Sequence, residues 1–194
     1  MANTDLMIDL ETLATSSDAS ILSIGAVKFD PFGRDHDEPK MNSFYVRVDL
    51  DSCDEIGLVT CDSTIEWWSK QSKEAQEEAF NPEGRIHIRE AFNQLYNFSK
   101  GAKRVWSNGS VFDIVICENV FKRLQKSIPW QYWQIRDVRT AFDLGINPQR
   151  PPVTAHHALE DAYNQALGIQ NVYNTLRMST TKDGNYIAPF ANER

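Results

Sequence analysis

Three strand-like segments joined by short connections precede any helical pattern in this chain, and that order restricts its fold more than any other feature. Asp5 to Asp9 is a short apolar run. Ile21 to Phe29 (ILSIGAVKF) is longer and rich in β-branched side chains, and Phe44 to Val48 alternates with the period of two that a half-buried strand requires. Pro31-Phe32-Gly33 marks a turn between the second and third segments. Three strands in succession with no helical pattern between them suggest an antiparallel meander.

The rhythm then changes. After a loop from Asp51 to Asp62, Ser63-Thr64-Ile65-Glu66 fits the S-x-x-E capping box and predicts a helix from Thr64 to Ala79. Asn81-Pro82-Glu83-Gly84 breaks it, and Ile88, Ala91, Phe92, Leu95 and Phe98 recur at helical spacing before Gly101. Arg104-Val105-Trp106 reads as a strand whose Ser107-Asn108-Gly109-Ser110 turn feeds a helix to Leu124, with Val111, Ile114, Val115, Val120 and Phe121 inward. A strand at Ile135-Arg136-Asp137 leads into further helix, and Pro148 with Pro151-Pro152 marks an extended loop. A last helix spans Ala158 to Leu176, with Leu159, Ala162, Ala166, Ile169 and Tyr173 on its inward stripe. Strands first, then strands alternating with helices, predict an α/β fold: a mixed five-stranded sheet, three antiparallel strands continued by parallel ones, flanked by helices. No repeat or linker divides the chain, so residues 1–178 read as one domain and 179–194 as a polar tail.

With 194 residues, 41% of them hydrophobic, the chain can bury one substantial core. The formal net charge of −7 argues against a broad basic surface for nucleic acid, since that mode relies on many Lys/Arg-phosphate contacts. An enzyme that grips a few terminal nucleotides through bound cations escapes this exclusion. Cys53, Cys61 and Cys117 form no C-x-x-C pair and are odd in number, which points away from a disulfide framework or thiolate zinc site. With no apolar run of membrane-spanning length and no secretory pattern at the start, no membrane partner and a cytoplasmic location are expected.

Chemistry is carried by acidic residues far apart in sequence. Asp9-Leu10-Glu11 is the only D-x-E in the chain and ends the first strand, where alternate side chains project to one face and both carboxylates can reach one metal. Alone it is a weak signal, and a solvated acidic pair ending a strand is the more common reading. Asp113 opens the helix after the Asn108-Gly109 turn, where the helix dipole favours an acidic side chain in any case. The strand-turn-helix context raises a functional reading, with Asn108 donating to a phosphate or orienting Asp113. His156 and Asp161 form the only H-x-x-x-x-D, placed where the Pro-rich loop enters the last helix. A histidine there can also be a cap or a packed core residue, and the doubled His156-His157 leaves open which ring matters.

In order and spacing these residues resemble the DEDD exonuclease superfamily, in its DEDDh (DnaQ-like) branch. Ser63-Thr64-Ile65-Glu66-Trp67-Trp68 and Trp133-Gln134-Ile135-Arg136-Asp137-Val138-Arg139-Thr140 are similar to the phage exonuclease A and exonuclease VIII-like group and its bacterial relatives, which include a ribonuclease. The resemblance runs from about Leu6 to Tyr173 and implies a ribonuclease H-like fold. It also implies that Asp9, Glu11, Asp113 and Asp161 hold two divalent ions, Mg²⁺ or Mn²⁺, and that His156 is the general base. His157 stands four residues before Asp161, where the sister DEDDy branch has tyrosine, so spacing favours His156 and puts His157 beside the substrate. Trp68 and Arg139 are placed near the substrate cleft on the same basis. Trp67 and Trp68 cannot both face one way on a helix, and Arg139 has Asp137 and Asp143 as nearby ion-pair partners.

These residue types suit phosphodiester cleavage. Negative charge grows on the attacking and leaving oxygens, and two magnesium ions about 4 Å apart stabilise both. Magnesium takes hard oxygen ligands, which carboxylates supply. A histidine with a pKa of about 6.5 accepts a proton near neutral pH, which is worth ~10²–10⁴-fold. The expectation is therefore 3′→5′ exonucleolytic release of nucleoside 5′-monophosphates from a nucleic-acid 3′ end. DNA is the favoured substrate and an exoribonuclease the close alternative; the protein is a monomer or homodimer, in the host-cell cytoplasm if phage-encoded. A non-catalytic ribonuclease H-like binding module is the alternative from another class. A zinc hydrolase lacks H-E-x-x-H here, and a chance coincidence of motifs completes the set.

Overall fold

The computed structural model describes residues 4–33, 42–145, 156–180 and 186–187. The extended loop expected around Pro148, Pro151 and Pro152 lies outside them.

All five expected strands form: β1 (Asp5–Thr12), β2 (Ile21–Phe29), β3 (Ser43–Val48), β5 (Arg104–Ser107) and β6 (Ile135–Asp137). The sheet has six strands rather than five, in the order β4-β3-β2-β1-β5-β6, because Arg85–Ile86 adds a parallel edge strand, β4, beside β3. Two residues carry no readable period, so this strand is set by tertiary contacts. The Arg85 guanidinium donates to the carbonyls of Leu22 (3.1 Å), Val48 (2.7 Å) and Ala79 (2.6 Å) and so ties the edge down. β1, β2 and β3 are antiparallel, and β5 and β6 continue the sheet parallel to β1, as the sequence order implies.

The helices depart from expectation in three places. The segment after β3, read as loop, begins with helix α1 (Leu50–Glu55), started by the Asp49 carboxylate accepting from the Ser52 amide. The single helix expected over Thr64–Ala79 is two, α2 (Asp62–Trp68) and α3 (Lys73–Phe80). The Ser63-Glu66 capping box does not form, because α2 already begins at Asp62 with Cys61 at its cap and Ser63 lies inside it; Glu66 pairs with Lys70 at 2.7 Å, and Ser72 caps a new helix by accepting from the Ala75 amide. Next come α4 (Ile88–Ser99) and α5 (Asp113–Arg123). Because α5 starts only at Asp113, Val111 precedes it and stands 84% exposed, and Val115 lies on the outer face of the helix, against the inward placement expected of both. α6 (Val138–Phe142) and α7 (Ala158–Thr175) complete the helices, and Ser179–Thr180 (β7) pairs antiparallel with Tyr186–Ile187 (β8).

The alternation of β1 decides where function can sit. Leu6, Ile8 and Leu10 point into the larger core with Phe92, Leu95 and Phe121 of α4 and α5. Met7 points the other way, into a second core under α7 with Ala162, Ala166 and Ile169. Asp5, Asp9 and Glu11 share the Met7 face. Asp5, fully buried, is a structural group: Arg104 donates to it at 3.1 Å and Trp106 Nε1 at 2.8 Å.

Candidate active site

Gly25 of β2 sits opposite Asp9 in the sheet register. A Cβ added there would fall 2.1 Å from the carbonyl carbon of Ala158, so only glycine lets the first turn of α7 rest directly on the strand. That approach brings Asp161 to Asp9 and Glu11: one carboxylate oxygen from each of the three lies within 4.8 Å of the others. Asp113 enters from the opposite side. Its Oδ1 accepts from the Leu10 amide at 3.1 Å, at a point where β1 has run past its last pairing with β5. A cleft of about 500 Å³ is lined by all four carboxylates with Trp67, Asn108, Phe112, Arg139, His156, Asn164 and Gln165.

Crowding shows in the proton affinities. Burial, then the charges of Asp113, Glu11 and Asp161, hold the Asp9 carboxyl well above its usual range. Glu11 is pushed up to about 8 by burial and by Asp161 and Asp113. Burial lifts Asp113 to about 7, opposed by the Leu10 amide and by the charge of Arg139, and burial raises Asp161 against the pull of His156. The four groups resist being ionised together, which is the condition of a site completed by cations. The donors are hard oxygens from three elements, so the residues fit divalent ions such as magnesium or manganese.

The histidines are separated. His156 lines the cleft, with φ at +65° and its ring edge-on to Trp67 (4.8 Å) and Trp68 (5.8 Å). His157 turns away from the cleft lining: it caps α7 by accepting from the Glu160 amide and stacks on Tyr45 at 4.7 Å. Of the two tryptophans, Trp68 is the core residue, 1% exposed and donating from Nε1 to the Thr12 carbonyl (2.9 Å), while Trp67 is 41% exposed and faces the carboxylates. Trp68 still borders an adjoining hollow of about 390 Å³ with Trp67, Phe112 and Glu11. Asp137 receives the amides of Ser110 (2.6 Å) and Thr140 (3.1 Å), fixing the Asn108-Gly109 turn against α6, and the Arg139 guanidinium lies over Gly109 in the cleft wall.

Sequence reasoning missed Trp67, Asn164 and Gln165. Gln165 Nε2 donates to Asp9 Oδ1 at 2.7 Å, and its Oε1 and both amide atoms of Asn164 are buried without partners among the described residues. Both lie within one turn of Asp161 on α7, a proximity legible once that carboxylate is chosen, but two amides in a helix carry no motif.

Residues 4–173 match a family model described as a 3′-5′ exoribonuclease Rv2179c-like domain, so the class defined by this cleft is the 3′→5′ exonuclease of DnaQ-like type, a hydrolase. The exodeoxyribonuclease of Enterobacteria phage T4 is 26% identical over 162 residues, covering 72% of this chain and 70% of the relative. A solved exonuclease X in complex with 5′ overhanging duplex DNA aligns over 93% of this chain and 96% of its own at a TM-score of 0.47 and 16% identity. The chain belongs to the Rv2179c-like exonuclease family. Among the described residues no helix is long and apolar enough to cross a membrane.

Proposed function

We propose that this protein is a divalent-metal-dependent exonuclease that removes nucleoside 5′-monophosphates one at a time from the 3′ end of single-stranded DNA. The observation that carries the reading is the meeting of Asp9, Glu11 and Asp161 within 4.8 Å, with Asp113 in the same cleft. Asp9, Glu11, Asp113 and Asp161 would hold two Mg²⁺ or Mn²⁺ ions, whose charge stabilises the oxygens that gain negative charge during cleavage. His156 takes the proton of the attacking water, and Trp67 stacks on a base while the terminal nucleotide occupies the cleft. Arg139 and Asn108 face the same space and donate to phosphate oxygens, Arg139 being the one Lys or Arg among the described residues that line the cleft.

RNA is the second reading, favoured by the description of the matched family, whereas the phage T4 relative is named for DNA. The sugar is recognised by a contact to, or a clash with, the 2′-hydroxyl. Hydrolysis of sequence-matched, 5′-labelled DNA and RNA oligomers in magnesium and in manganese decides between them. Faster loss of 3′ nucleotides from DNA is expected; faster loss from RNA would reverse the assignment. No cleavage of either, with no divalent binding by calorimetry, would leave only a ribonuclease H-like binding module.

A further inference from the structure

A second polar cluster, outside the carboxylate cleft, grips the start of α7. Glu78 of α3 accepts from the Tyr45 hydroxyl and from Arg47 of β3, whose Nη2 lies 2.7 and 2.6 Å from its two oxygens and whose Nε lies 3.2 Å from one of them. The Nε2 of His157 stands 3.6 Å from the same carboxylate. Burial works against charge on Glu78, but the hydrogen bonds from Tyr45 and Arg47 outweigh it and hold the carboxyl below its usual range, so it is ionised at neutral pH. The His157 ring is thereby fixed on three sides: stacked on Tyr45 at 26°, facing Glu78 through Nε2, and accepting from the Glu160 amide through Nδ1.

The residue immediately before it is His156, in the left-handed region at φ +65°. A non-glycine residue held there is strained and persists only where its surroundings over-determine it. Trp67 and Trp68 brace the ring from one side. On the chain's other side the first fixed point is His157.

We propose that Glu78, acting through His157, is a positioning residue for the histidine base: the Tyr45-Arg47-Glu78 cluster locks His157, and the locked backbone keeps His156 in its strained conformation facing the carboxylates. This rests on the reading of His156 as the base. Arg47, Tyr45 and Glu78 never touch substrate in this scheme; they set where the imidazole can be.

The test is a double-mutant cycle on the full chain, reading kcat, KM, divalent affinity by calorimetry and thermal midpoint for His157→Asn and Glu78→Gln. Asparagine is among the best helix N-caps, so His157→Asn keeps the start of α7, and Asp161 with it, while removing the ring. Each variant is expected to lose about tenfold or more in kcat, with KM and metal affinity within twofold of wild type. In a His156→Ala background neither substitution is expected to lower kcat further, because nothing remains to be positioned. Wild-type kcat in both variants, or an equal loss with and without His156, would overturn the proposal and leave the cluster as structural glue. If His156→Ala itself turns over at the wild-type rate, the base assignment falls and the positioning role with it. A lowered thermal midpoint with unchanged kcat per folded molecule counts as refutation, and the two variants lie on different elements, so poor folding of one leaves the other decisive.

Discussion

Glu11→Gln should stabilise the metal-free protein while abolishing its activity. In the fold the Glu11 carboxyl titrates near 8, against an ordinary 4.5. Between those two values the folded state binds more protons than the unfolded chain, so stability falls as pH rises from about 4.5 to about 8, the reverse of a salt-bridged carboxylate. A difference of about 3.5 at about 1.4 kcal/mol per pH unit makes the cost of the charged group on the order of 4 kcal/mol at pH 8. Glutamine keeps the shape and never ionises. For a chain of this size each 1 kcal/mol moves the midpoint by about 2–4 °C, so the variant should melt roughly 8–16 °C above wild type at pH 8 in chelator. At pH 5 the gap should nearly close. Added magnesium should narrow it at pH 8, since a ligand at a hundred times its Kd contributes about 2.7 kcal/mol to the protein that binds it and the variant has lost a ligand. Calorimetric melting at the two pH values, with and without metal, measures all of this. An unchanged midpoint at pH 8 in chelator, or a gap of the same size at pH 5, would refute the claim that crowded, desolvated carboxylates are held in place against their own charge.

Asp113→Asn should nearly abolish cleavage while the fold survives, because the amide oxygen can still accept from Leu10; circular dichroism and an oligonucleotide assay check the two halves. His156→Ala should slow turnover by about 10²–10⁴ and leave divalent affinity intact by calorimetry, as expected of a general base that is not a ligand; a crippling loss of metal binding would make it a ligand instead. Gly25→Ala should cost stability of at least about 1–3 kcal/mol, since the new methyl meets the Ala158 backbone 2.1 Å away and neither strand nor helix can yield freely. It should also weaken divalent binding by drawing Asp161 from Asp9, and wild-type affinity in a destabilised variant would count against this seating of α7.

Periodicity alone reached the strands of the main sheet other than β4, the antiparallel start of the sheet and the final helix, while spacing singled out the acidic residues and the histidine pair to which the family resemblance then gave roles. Those features are local: alternation in ILSIGAVKF, the Asp9-x-Glu11 pair on one strand face, and His156 and Asp161 five residues apart at a helix start are written in neighbouring side chains. What depended on contacts between distant segments was decided only by the tertiary structure. Arg85–Ile86 became a strand because β3 offered an edge, and Ser72 starts a separate helix, α3, by capping the Ala75 amide. Trp67 rather than Trp68 took the cleft because Trp68 found the Thr12 carbonyl beneath it. The separation of the two histidines has the same origin: they are neighbours in sequence, and Tyr45 and Glu78, more than 70 residues upstream, hold the His157 ring on their side while His156 lines the cleft with the acids.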